Sequence, residues 1–168
     1  MVTHSLASRL LRYPAKSTVV EELPSVVKAA DGLCHWSFPA VVVPGACACR
    51  NDWGRACRAQ NVAAVVVVVD ASERVRLPLL HELLAGALRG GSAPVLVLAN
   101  KTDLEGALTP EALATELRLK SVLGGGGDAA DGVDGARPWA IYASDAHDPN
   151  RTEASLKWLL ARAEEAGA

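Results

Sequence analysis

Three apolar runs along the chain are each followed by a segment in which apolar residues recur at helical spacing. Val62–Asp70 precedes a predicted helix at about Arg74–Arg89, where Leu77, Leu80, Leu84 and Leu88 fall on one stripe. Val95–Ala99 precedes a helix starting near Thr109-Pro110, with threonine at the cap and proline in the first turn. Trp139–Ala143 precedes Arg151–Glu165, with Leu156, Leu159, Leu160 and Ala163 on one side. Alternating strands and helices imply a parallel sheet with helices on both faces. Ahead of this part, Val26–Val43 holds an Asp31-Gly32 turn and strand-like stretches at Leu33–Phe38 and Ala40–Val43, which predicts a hairpin interrupted at Pro39. Val122–Arg137 is rich in Gly, Asp and Ala and lacks periodicity, so it reads as a flexible surface loop. Its glycine run lacks GxxxxGK[ST] spacing and does not sit between a strand and a helix, which argues against a phosphate loop.

Composition narrows the class. The chain has 168 residues, enough for a single domain spanning 1–168 with a sizeable core. Half the residues are apolar, and the abundance of valine and alanine suits a buried sheet under Ala/Leu helices. A formal net charge of −2 gives no electrostatic footprint for nucleic acid. Cys34, Cys47, Cys49 and Cys57 do not form paired CxxC motifs and read as reduced thiols of a cytoplasmic protein. The longest apolar run is far shorter than the roughly 20 residues that span a bilayer. No signal peptide is visible, and Val2 stands where a myristoylation motif needs glycine, so no direct membrane anchor is expected.

The candidate chemistry lies at the end of the second apolar run, where Asn100-Lys101-Thr102-Asp103 has the NKxD form of a guanine-reading motif. The Asp103 carboxylate can accept from the neighbouring N1–H and 2-amino donors of guanine. Adenine lacks that donor pair, and an unmatched polar site discriminates by roughly 10⁴–10⁵. Asn100 would tie adjacent loops together, and the Lys101 stem would lie flat along the base.

Around this motif the sequence resembles the Arf/Arl small GTPases of the Ras superfamily. Val95–Leu119 (VLVLANKTDLEGALTPEALATELRL) matches the family's strand, NKxDL and helix pattern without gaps. Val65–Asp70 with Ala71-Ser72-Glu73-Arg74 is similar to the family's "VVDSxxRxR" block. Trp139–Leu159 is similar to its last strand, base-contacting turn and last helix, and Leu23-Pro24-Ser25-Val26 resembles the "IPTV" of switch I. The resemblance implies an α/β small-GTPase (P-loop NTPase-like) fold, mostly parallel, with 122–137 an insertion. It places the backbone N–H of Ala146 at the guanine O6, with Asp145 replacing the family's cysteine and His147 its threonine. It makes Ser25 the counterpart of the switch I threonine that reaches Mg²⁺. His81 and His35 receive no chemistry, and Trp53, Trp139 and Trp158 read as packing residues.

The resemblance breaks at the phosphate end. No first strand and no GxxxxGK[ST] loop occur in the 168 residues; His4 and Ser5 align at best with the tail of that loop. Val42-Val43-Pro44-Gly45 fits the family's DxxG with only Gly45 kept, and the glutamine that orients water falls on Ala46 or Cys47. Charge-assisted hydrogen bonds contribute about 1.5–3 kcal/mol each, so losing three phosphate contacts costs roughly 4–9 kcal/mol, or about three to six decades of affinity. The expectation is therefore a degenerate Arf-like protein. Asn100, Lys101, Asp103, Asp145, Ala146, Gly45 and Ser25 would remain as its nucleotide-binding residues, with no catalytic and no metal-ligating residue. GTP or GDP binding would be weak, Mg²⁺ retention is doubtful, and other proteins would be its partners as an interaction or scaffold subunit. Two alternatives stand beside it: a genuine GTP-binding switch truncated at the N-terminus, and a relative of the signal-recognition-particle receptor β subunit.

Overall fold

The computed structural model describes residues 21–28, 35–59, 62–124, 137–145 and 149–167. In chain order these form β1 (Glu21–Lys28), β2 (His35–Val42), a 3-10 turn (Cys47–Cys49), α1 (Arg50–Cys57) and β3 (Val65–Asp70). A second 3-10 turn (Arg74–Arg76) leads into α2 (Leu77–Leu88), followed by β4 (Val95–Asn100), α3 (Pro110–Glu116) and α4 (Leu119–Leu123). The described chain ends with β5 (Trp139–Ser144) and α5 (Pro149–Gly167).

The strands β3, β4 and β5 form a three-stranded parallel sheet in that order, with Val65, Val95 and Trp139 in register at one end and Asp70, Asn100 and Ser144 at the other. Alternation along each strand divides its side chains between two helical layers. Val65, Val67 and Val69, Val95, Val97 and Ala99, and Trp139 and Ile141 meet Leu77, Leu84 and Leu88 of α2, Leu113 of α3, and Leu119 and Leu123 of α4. On the opposite face Val66, Leu96, Leu98 and Tyr142 meet Leu156, Trp158 and Leu159 of α5. A strand position covered on both faces leaves no place for a polar side chain, which is why Val95–Ala99 of β4 is an unbroken apolar run that turns polar only at its partly exposed end, Asn100. The parallel sheet with helices on both faces is thus as the sequence predicts.

The hairpin differs from expectation in two ways. The stretches predicted on either side of Pro39 fall largely within the single strand β2, and its antiparallel partner is the unpredicted β1, in a two-stranded sheet that no strand among the described residues joins to β3. Pro39 does not interrupt it: β2 runs through, and Pro39 lies opposite Pro24. Neither proline can donate to the ladder, but a pair of opposed residues that exchange no N–H···O bonds loses nothing by it. The Asp31-Gly32 turn lies outside the described residues.

The helices are also shorter or longer than the pattern suggests. The α2 helix begins at Leu77 rather than Arg74, because Pro78, fixed in φ and lacking an N–H, suits a first turn. The segment after Asn100-Lys101-Thr102-Asp103 holds two short helices. The first is capped by Thr109, whose side chain accepts from the Ala112 N–H at 3.3 Å. Arg118 then adopts a left-handed φ of 48°, which reorients the chain so that Leu117 and Leu119 are both fully buried. The α5 helix starts at Pro149, two residues before the predicted Arg151.

The predicted loop 122–137 is ordered at both ends. Val122 and Leu123 belong to α4, where Leu123 is buried against the core. Arg137 bonds through Nε to the Ala93 carbonyl and through Nη1 to the Leu88 carbonyl at 3.0 Å, fastening the chain to the end of α2. These contacts are long-range, so local composition did not reveal them.

Candidate functional site

In parallel sheets ligands sit beyond the carboxyl ends of the strands, and here Asp70, Asn100 and Ser144 mark that edge. Asn100 is half-buried, and its carbonyl accepts the Ala71 N–H at 2.9 Å, tying the turn after β3 to the end of β4. The Leu108 N–H returns to the Ala71 carbonyl at 2.9 Å, so the segment after Asp103 closes on the same turn. Between these ties the chain turns sharply. Lys101 takes a left-handed φ of 61°, and Gly106, at φ 77°, permits the second bend without side-chain strain.

Lys101 does not trail in solvent. Its Nζ donates to Asp70 Oδ2 at 2.5 Å, while Asp70 Oδ1 accepts from the Ser72 N–H at 3.0 Å and the Ser72 hydroxyl at 2.6 Å. Partial burial works against an ionised Asp70, but the hydrogen bonds from Lys101 and Ser72 outweigh it and hold the carboxyl below its ordinary range. The Lys101 ammonium is raised above the usual lysine value, first by the hydrogen bond to Asp70 and then by that carboxylate's charge. An acid held below its unfolded pKa stabilises the fold at neutral pH and loses that contribution as pH falls through its folded value. The pair is partly exposed, so the effect is about 0.2–1 kcal/mol. The unfolding midpoint in urea should therefore fall below about pH 4 less steeply in Asp70→Asn than in the native protein.

Asp103 is exposed, and its carboxylate makes no hydrogen bond or ion pair among the described residues. Among the described residues, the acceptor pair that a guanine edge would use is thus not engaged in a hydrogen bond. Ser144 is fully buried and its hydroxyl donates to the Ala99 carbonyl at 3.4 Å, while Asp145 follows it half-buried. Ala146 and His147 lie outside the described residues, as do His4 and Ser5.

The other expected site residues lie outside the three-stranded sheet. Gly45 is exposed between β2 and the first 3-10 turn, and a Cβ built on it would meet nothing within 4 Å. Its neighbour Pro44 is buried and accepts from the Trp53 indole N–H at 3.1 Å, which gives Trp53 the structural role its sequence reading assigned. Ser25 lies in β1, opposite Phe38, on the separate hairpin. Among the described residues, then, Asn100, Lys101, Asp103 and Asp145 lie at the carboxyl edge of the three-stranded sheet, whereas Ser25 lies in the two-stranded sheet and Gly45 follows it in the chain.

The structure adds Asp70 to the site. Sequence reading matched it within the VVVVVD block without giving it a role. The available signal was local: an aspartate ending an apolar strand, with serine two residues on, is an Asx-turn pattern.

A family model described as Arf, ADP-ribosylation factor family, matches residues 34–163. The chain belongs to the ADP-ribosylation factor family. The Arf-family ADP-ribosylation factor-like protein 5 of Caenorhabditis elegans is 28% identical over 155 residues, covering 89% of this chain and 79% of that protein. ADP-ribosylation factor-like protein 8b of Arabidopsis thaliana is 46% identical over 77 residues, covering 44% of this chain but only 40% of that relative's length. The Arl6 BBS3 small GTPase from Trypanosoma brucei, solved with the nucleotide analogue GppNp, shares the fold at a TM-score of 0.69 and 23% identity over 95% of this chain and 90% of that one. The Arf-type α/β small-GTPase fold is therefore that of this chain.

Elsewhere, no group of three metal-ligating side chains occurs among the described residues, and none of their helices is long and apolar enough to cross a membrane. Cys47, Cys49 and Cys57 are free thiols. Burial pushes the Cys57 thiol up despite the nearby Arg137 and Arg58, which makes it a poor nucleophile. His81 is structural: its Nδ1 lies 2.9 Å from the Leu117 carbonyl.

Proposed function

We propose that this Arf-family domain reads guanine at Asn100, Lys101 and Asp103, binds GDP or GTP weakly, and acts through protein partners in the cytoplasm rather than by hydrolysis. The observation that carries the reading is the edge at the end of β4, where Lys101 is pinned to Asp70 while the exposed Asp103 carboxylate makes no hydrogen bond or ion pair among the described residues. Against hydrolysis stand Val42, Ala46 and Cys47 where the family's motif would place the aspartate and the water-orienting glutamine. None of the three can do that work. Asp145 and Ala146 would complete the base contact in this reading, with Gly45 and Ser25 as phosphate-end remnants. Titration with GDP and GTP should give affinities several decades below those of a complete phosphate site, with no turnover. Sub-micromolar affinity together with measurable hydrolysis would end the reading.

One observation favours a second reading, a GTP-binding switch whose phosphate loop comes from residues outside this sequence. The Val65 N–H bonds to the Pro94 carbonyl at 2.9 Å, so β3 turns residues 65, 67 and 69 to β4 and the backbone groups of Val66, Val68 and Asp70 the other way. No described strand takes that side, and Val68 is 40% exposed. An in-frame GxxxxGK[ST] encoded upstream of Met1 and preceded by an apolar run would favour this reading over the first.

A further inference from the structure

We infer that Asp70 is a positioning residue of the guanine site: it holds the Lys101 side chain in place before a base arrives. The inference rests on the guanine reading proposed above and assigns a new residue to it. A lysine stem has four rotatable bonds and half of this one is exposed, so an untethered Lys101 would have to be ordered by the ligand. The fold orders it instead. Its backbone is fixed at φ 61°, and its ammonium sits 2.5 Å from Asp70 Oδ2. Asp70 is held in turn on its other oxygen, by the N–H and hydroxyl of Ser72. The two carboxylate oxygens thus do separate work, one closing the turn after β3 and one reaching across to the end of β4. Asp70 lies opposite Asn100 in the parallel register, which makes this reach short.

The chemistry separates Asp70 from Asp103. Asp103 would read the donors of the base edge, and its removal changes which base is preferred. Asp70 would set only how much of the Lys101 stem is ordered in advance, so its removal weakens every base that lies on that stem by the same factor.

The test compares the native protein with Asp70→Asn, Lys101→Met and the double variant, using GDP and inosine diphosphate as probes. Inosine lacks the 2-amino donor but presents the same ring face. The amide of Asp70→Asn still accepts from the Ser72 N–H, so the turn is kept while the charge is lost. We expect Asp70→Asn to lose about three- to tenfold in affinity for both nucleotides at an unchanged ratio. Lys101→Met should lose a similar factor, and the double variant no more than either single one. In the unliganded protein, the Lys101 pKa followed by NMR of ¹³C-methylated lysines should fall toward the ordinary lysine value in Asp70→Asn. Unchanged affinity in Asp70→Asn, additive losses in the double variant, or an unmoved Lys101 pKa would each overturn the assignment of Asp70 alone. Absence of GDP binding by the native protein would overturn the guanine reading and this inference with it.

Discussion

Asp103→Ala is expected to lower GDP affinity by about two to four decades and to erase the preference for GDP over ADP. Two charge-assisted hydrogen bonds at about 1.5–3 kcal/mol each set that range. The effect should fall on binding alone. Asp103 is exposed, and its carboxylate makes no hydrogen bond or ion pair among the described residues, so its truncation leaves no buried group unpaired and the thermal midpoint should not move. Calorimetric or fluorescence titration against both nucleotides measures the change, and guanosine chemical-shift titration serves if the native affinity is low. A variant that still prefers GDP over ADP would remove Asn100-Lys101-Thr102-Asp103 from the site. The pairing of a large binding effect with no stability effect is what separates this residue from the core around it.

That separation also explains what could be read from the sequence. The parallel sheet was legible because Val65–Val69, Val95–Ala99 and Trp139–Ala143 are unbroken apolar runs, of which the central Val95–Ala99 is buried on both faces. The NKTD turn was legible because its residues are neighbours in the chain. What was not legible depends on contacts between distant segments. The bond from Lys101 to Asp70 spans 31 positions and that from Arg137 to Ala93 spans 44, so neither leaves a local pattern. Pro39 was misread for the same reason, since only the opposing Pro24 shows that its missing N–H is harmless. The left-handed Arg118 that divides α3 from α4 likewise has no glycine to announce it, only the burial of a leucine on each side.

Trp139→Ala should be the most damaging substitution to the fold, and it tests the same division from the other end of the sheet. Trp139 opens β5, opposite Val95, and is 4% exposed in the face that meets α2, α3 and α4. Its indole N–H also donates to the Gly124 carbonyl at 3.1 Å, holding the end of α4 against the first turn of the strand. Truncation removes the ring, leaves a cavity and frees that carbonyl, at a cost of about 3–5 kcal/mol. A domain of this size stands only about 5–15 kcal/mol above its unfolded state. At roughly 2–4 °C per kcal/mol, the thermal midpoint should drop by about 6–20 °C. Trp139→Phe keeps most of the volume and loses the hydrogen bond, so a drop of about 1–2 kcal/mol is expected in urea unfolding. A cost under about 1 kcal/mol for Trp139→Ala would mean that the α4 end of the core does not pack as described. Trp139 lies at the amino ends of the strands and Asp103 beyond their carboxyl ends. The molecules of Trp139→Ala that remain folded should therefore keep the native preference for guanine, whereas Asp103→Ala loses that preference in a fully stable protein.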